Sequence, residues 1–163
     1  MNHIPFIMSL AVLLVGCGPS ENDVRAIVQS ELAKASRRTE IANAEVIGPY
    51  IPAVRVGNLL FVSGQIGLDP QTGQLAGSSI EAQTQQALRN LGSILSDAGF
   101  DSSQVVQCSV FLKDIHDFQK MNLVYGGYFS EAHYPTRTTV EVSNLPRNAI
   151  IEIAAIAYMS EQP

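Results

Sequence analysis

Polar and apolar positions alternate with two different periods along this chain, and the changes of period mark out its elements. "AVRVGNLLFVSG", Ala53 to Gly64, holds two runs of strand character around Gly57-Asn58, a pair suited to a tight turn, and predicts a hairpin. Residues 79–98 change to a helical period, with Leu88, Leu91, Ile94, Leu95 and Ala98 on one stripe. Ser78 with Glu81 suits a capping box there, and Gly99 falls where a helix stops. "SQVVQCSVFLKD" returns to strand character, with Val106, Cys108, Val110 and Leu112 expected on one face. A second helix is predicted over 117–130 from Phe118, Met121, Tyr125, Tyr128 and Phe129. Two strands in "TRTTVEVSNLPRNAIIEIAAIAY", residues 136–158, close the pattern. The order ββ-α-β-α-ββ predicts an α+β domain, a mixed sheet with two helices on one face, starting near Glu45 and running to residue 163.

The last strand departs from simple alternation. Ile151, Ile153, Ala155 and Ala157 alternate with Ile150, Glu152, Ala154, Ile156 and Tyr158, so both faces are apolar. Two helices cover one face; the other needs a further cover, most simply another copy of the chain. Within that strand stands one carboxylate, Glu152. An unpartnered buried carboxylate is heavily penalised, so it must meet a cation, a set of donors or a wet cleft. Arg137 and Arg147 are the nearby cations in sequence, and spacing alone favours a structural ion pair or an exposed edge position over a functional site.

Composition narrows the function classes. Apolar residues make up 46% of the 163 and charged residues 15%, enough for a sizeable core. The net charge of −5 argues against nucleic acid as the main partner, since phosphate binding needs a basic excess. His116 and His133 stand outside any metal-ligand spacing, so no metal is expected. The scattered glycines read as turn residues, and Arg37-Arg38 as a solvated helix end.

The start of the chain follows another rule. Ile4 to Val15 is an apolar run, too short to span a bilayer but suited to a signal-peptide core over residues 1–16. It ends in "LVGC", Leu14 to Cys17, which resembles the bacterial lipoprotein box; that implies a lipid on Cys17 and a place in the cell envelope, facing the periplasm. No Lys or Arg precedes Arg25, so the usual basic leader is missing, and the alternative is a buried N-terminal helix with an incidental cysteine. Gly18 follows the cysteine where Asp would favour inner-membrane retention, so in a Gram-negative host the outer membrane is the expected destination. Residues 17–44 then read as a tether plus an amphipathic helix over 21–37, opened by Ser20 and Asp23 as a capping box, with Val24, Ile27, Val28, Leu32 and Ala35 at helical spacing. With Cys17 acylated, Cys108 has no disulfide partner and reads as a small core residue.

"GPYIPAVRVGNLLFVSGQIGLDPQTGQL", "EAQTQQALRNLGSILSDAGF", "VFLKDIHDFQKMNLVYGGYF" and "PTRTTVEVSNLPRNAIIEIAAIAY" together resemble the Rid/YjgF family of reactive-intermediate deaminases, in order from about Ile47 to Tyr158. The resemblance implies a chorismate-mutase-like α+β fold, a homotrimer whose sheets line a central barrel, ligand clefts between subunits, and hydrolysis of 2-imino or 2-enamino acids to 2-keto acids and ammonia without metal or cofactor. It implies that Arg137 holds the substrate carboxylate, that Glu152 positions water and shuttles a proton, and that Tyr50 lies beside the substrate. Ser63, Asn122 and main-chain groups near Thr139 match further cleft positions. Three departures bear on substrate choice: Ala154 stands for a second acid, Pro52 for a glutamine, and Thr139 where some members have cysteine. Two other functions use the same fold: a module that binds keto acids or amino-acid-like ligands without catalysis, and an envelope holdase.

Overall fold

The computed structural model describes residues 18–42, 47–129 and 131–160. The apolar leader, Cys17 and Glu45 lie outside them. The described residues fall into two compact units, one within residues 18–33 and one from residue 34 onward.

Within the first unit and its junction, Glu21–Ala35 forms helix α1. Its capping box is reciprocal: the Ser20 main-chain N–H donates to the Asp23 carboxylate at 3.0 Å, and the Asp23 N–H donates to the Ser20 hydroxyl at 3.3 Å. Glu21 and Arg25 add an exposed pair one turn apart at 2.9 Å.

The second unit holds strands β1 (Arg38–Ile41), β2 (Ala53–Val56), β3 (Leu59–Ile66), β4 (Val105–Leu112), β5 (Thr136–Glu141) and β6 (Ile151–Tyr158), with helices α2 (Ile80–Asp97) and α3 (Phe118–Tyr128). The sheet order is β1-β2-β3-β6-β4-β5. Every neighbouring pair is antiparallel except β4 and β5, which are parallel because α3 carries the chain across between them. α2 packs on β3 and β6, and α2 and α3 pack on each other. The core fills that layer: Leu88, Leu91 and Leu95 of α2 meet Val110 of β4 and Ile151 and Ile153 of β6, all essentially inaccessible. Each such side chain contributes roughly 1.5–3 kcal/mol by leaving water.

Four details differ from the sequence pattern. β1 is a strand upstream of the expected start: it pairs with β2 although "RTEI" is mostly polar, as an exposed edge strand allows, so Arg38 is a strand residue and not a helix end. The cap of α2 is Ser79 and not Ser78; its hydroxyl accepts from the Ala82 N–H at 3.2 Å. Val106 leaves the apolar face, because the register of β4 on β6 shifts between Val105 and Gln107; Val105 is buried in its place and Val106 is exposed. The second helix is shorter than 117–130, since a separate 3₁₀ turn over Ile115–Asp117 precedes it. The end of α2 follows the sequence: Gly99 (φ 77°) lets its own N–H reach the Ser96 carbonyl and the Phe100 N–H reach that of Leu95, while Phe100 is buried.

The face of the sheet away from α2 and α3 carries Phe61, Ala154, Ile156, Tyr158 and Val140, half-buried or exposed in the single chain. Cys108 points the other way and is buried; burial raises its thiol pKa, so it behaves as a small apolar residue.

Candidate active site

The predicted residues fall into two groups. The first surrounds Glu152. In β6 this residue lies opposite Phe111 of β4 and Ile66 of β3, on the face away from the helices. A cavity of about 440 Å3 opens over it, walled by Tyr50, Ser63, Gly64, Ile47 and Pro146. Room for the carboxylate comes from β3, whose register on β6 slips between Val62 and Gln65. Gly64 sits in that irregularity. A Cβ at residue 64 would lie 1.7 Å from Glu152 Oε1 and 2.6 Å from its carboxyl carbon, so the glutamate takes its place only because residue 64 has no side chain.

Glu152 is half-buried, and no described residue forms an ion pair or hydrogen bond with it; Arg137 and Arg147 do not pair with it. Burial without a partner raises its pKa above the ordinary glutamate value. Glu152 thus lines an open cavity and is in no ion pair among the described residues. Ser63 ties the cleft wall together: its hydroxyl donates to the Ile51 carbonyl at 2.7 Å, and its N–H to the Pro52 carbonyl at 2.9 Å, which fixes the segment after Tyr50.

The second group surrounds Arg137. In β5 Arg137 lies opposite Cys108 of β4, and like Cys108 it points to the helical side. Its guanidinium carbon stands 4.6 Å from the centre of the Tyr125 ring and 5.5 Å from that of Phe118, both on α3. These ring faces support the cation from one side and leave its fork of N–H donors free to meet a carboxylate. Asn122 lies four residues after Phe118 and three before Tyr125, so it belongs to the same helix face. Thr139 follows two residues along β5, on the side of Arg137. Three buried side-chain oxygens among the described residues lack a partner, and two of them, the Tyr125 and Thr139 hydroxyls, belong to this group. Burial raises the Tyr125 pKa and keeps its hydroxyl protonated.

The two groups do not meet within one chain. β4 separates β6 from β5, two strand spacings or about 10 Å. The side chains also leave the sheet on opposite faces. One group offers a base in a partly dry cleft; the other offers a fixed cation at a sheet edge. Together they could bind a small carboxylate and deliver water to the atom beside it. Among the described residues no cluster of His, Cys, Asp and Glu could hold a metal ion.

Several contributors are not evident from the pattern. Gly64 reads as an ordinary turn glycine. Gln83 looks like a polar interruption of the α2 stripe, yet it is buried, donates to the Gly77 carbonyl at 2.9 Å and accepts from the Ile150 N–H at 3.0 Å, which fixes the entry to β6. Gly67 lets β3 approach α2 closely, since a Cβ there would lie 2.7 Å from the Gln83 Cα. A glutamine ahead of the apolar stripe of α2, buried there together with Thr84 and Gln86, was the available signal.

The family described as Endoribonuclease L-PSP matches residues 40–159. A RutC family protein of Pyrococcus horikoshii is 50% identical over 112 residues, covering 69% of this chain and 88% of its own. Reactive Intermediate Deaminase A of Arabidopsis thaliana, a chloroplast protein, is 43% identical over 134 residues, covering 82% of this chain and 71% of its own. The crystal structure of TdcF from E. coli with bound serine superposes with a TM-score of 0.68 at 38% identity, covering 75% of this chain and 96% of that one.

Proposed function

The chain belongs to the Rid/YjgF family, and we propose that it is a cofactor-free hydrolase that converts reactive 2-imino and 2-enamino acids to 2-keto acids and ammonia. The observation that carries this reading is the separation of a desolvated glutamate from a ring-supported arginine on opposite faces of one sheet. A homotrimer completes the site: the Arg137 edge of one copy closes the Glu152 cleft of the next, and the sheet face bearing Phe61, Ala154 and Ile156 turns inward. The Thr139 hydroxyl, unpartnered in the single chain, lies on the edge strand that this closure would cover.

In the assembled site the Arg137 fork takes the substrate carboxylate, with Asn122 and Thr139 beside it, while Tyr50 walls the cleft. Glu152 accepts a proton from water as the oxygen bonds to the imine carbon. The resulting carbinolamine then collapses, the carbon–nitrogen bond breaks, and ammonia leaves with a proton returned through Glu152. The sum is one imine plus one water giving one keto acid plus one ammonia. A glutamate with a raised pKa is a stronger base than an exposed one, closer to the pH at which it works. Fixing water and carboxylate together supplies most of the rest, because an imine carbon is already electrophilic.

The test is release of ammonia and keto acid from imines made in situ by an amino-acid oxidase, with Arg137→Ala as the control. Wild type should shorten the life of the imine, and Arg137→Ala should not. A second reading, ligand binding without turnover, is favoured by the relative solved with serine bound. Keto-acid binding with no ammonia released from any imine would establish it. The acidic chain, at −5, opposes a nucleic-acid substrate despite the family's description.

Place and assembly complete the proposal. A lipid on Cys17 would hold the trimer on an envelope membrane; Cys17→Ala should lose incorporation of labelled fatty acid, and unchanged labelling would refute the anchor. The chain from Ser20 onward should scatter light as three copies, and a stable monomer at micromolar concentration would contradict the shared site.

A further inference from the structure

A second cavity, of about 370 Å3, abuts the Glu152 cleft and shares Ile47, Tyr50, Gly64 and Ile66 with it. A three-carbon imine does not need this space. Its inner part is apolar, from Ile66, Leu68 and Ile94. Asn90 also lines it, but its amide is committed: it donates to the Ile66 and Leu68 carbonyls at 3.1 and 2.8 Å, and its oxygen accepts from Gln86 at 2.8 Å. Asn90 therefore fixes the walls and is not free for a ligand. The other polar side chains in the lining are Tyr50, Gln65, whose amide N–H donates to the Ser63 carbonyl at 3.0 Å, Ser93 and Arg147, and of these only Arg147 carries a positive charge.

Arg147 is held there at a cost. It and Asn148 are the two described non-glycine residues with positive φ, each at 58°. Such backbone is uncommon and persists when its surroundings impose it. Here buried Leu145 and Ala149 anchor the turn on both sides, and the Leu145 and Pro146 carbonyls accept from the Asn148 and Ala149 N–H groups at 3.2 and 3.1 Å. The cation so placed has no ion-pair partner among the described residues.

We infer that this cavity is a side-chain subsite, and that the preferred substrates are 2-imino acids bearing a distal carboxylate two or so methylenes from the imine carbon; this rests on the hydrolase site proposed above. The two ends of such a molecule meet different chemistry. Its imine carbon lies at Glu152, its methylenes cross Ile66, Leu68 and Ile94, and its distal carboxylate reaches Arg147 with Ser93 as a second donor. Electrostatics points the same way: Glu152 repels an anionic tail from its own cleft, and Arg147 is the cation that receives it in the neighbouring one.

Titration with two keto acids tests this. Wild type should bind 2-oxoglutarate about tenfold or more tighter than pyruvate, as one charge-assisted contact provides. Arg147→Met keeps the side-chain length on an exposed residue, so folding is not at issue; it should abolish that preference and leave pyruvate binding unchanged. Equal affinity for the two acids in wild type, or a preference that survives Arg147→Met, overturns the subsite while leaving the hydrolase site standing. Failure to bind either acid overturns the site and the subsite together.

Discussion

The Glu152 cleft and the Arg137 edge are built on opposite principles. Glu152 gets its character from what is missing: no cation or donor among the described residues, and no side chain at Gly64. Arg137 gets its character from what is present, two aromatic faces that hold a permanent charge in place. The difference teaches how the proposed function would divide the work: proton transfer needs a group whose ionisation is easily reversed, as at Glu152, and recognition needs a charge that never leaves, as at Arg137.

Removing the proton carrier tests that difference most severely. Glu152→Gln keeps the shape and should lower imine hydrolysis by about 10²–10⁴-fold, the range for a lost general base, while keto-acid binding survives. Equal losses of binding and turnover would erase the distinction. Arg137→Ala should act on the other side. It should weaken keto-acid binding by about 2–5 kcal/mol, as expected for a sheltered charged contact, and hydrolysis falls with it. Arg137→Lys should recover only part, since an ammonium lacks the fork.

Gly64→Ala should be felt at Glu152 and not at Arg137. The new methyl must displace the carboxylate, so hydrolysis should fall by more than about tenfold, with a stability loss of about 1–3 kcal/mol from overpacking. Normal hydrolysis by this variant would show that the position of Glu152 is unimportant.

The smallest expected effect is on stability against pH. The folded pKa of Glu152 is raised, so the fold favours its protonated form. That contribution is complete below the unfolded value of about 4.5, declines as pH rises from there through the folded pKa, and is absent above it. Glu152→Gln should therefore melt higher than wild type at neutral pH, and the gain should vanish in acid. Thermal melts across pH 3–8 measure this, and a variant less stable at pH 7 would contradict the unpaired carboxylate.

Much of this was legible in the sequence, for identifiable reasons. Long periodic stripes announce α2 and the strands of the core, because burial repeats at the period of the backbone. Glu152 is conspicuous as a carboxylate in an apolar strand. β1 is not legible, since an edge strand needs no apolar face and "RTEI" has none. Nor is the bulge that turns Val106 outward: a one-residue register shift depends on the partner strand. Gly64 and Gln83 stay hidden for the same reason, as their roles lie in contacts with residues 88 and 67 positions away. The opposite facing of Arg137 and Glu152 follows from sheet order, which local periodicity does not encode.

The central claim is that each site takes its base from one copy and its cation from the next. Mixing Arg137→Ala and Glu152→Gln chains measures it directly, by denaturing and refolding them together in equal amounts. Random assembly gives an intact pairing at about one interface in four, so the mixture should regain roughly a quarter of wild-type hydrolysis from two inactive parents. A mixture no more active than its parents, with mixed trimers shown to have formed, would place the whole site within one chain and contradict the account.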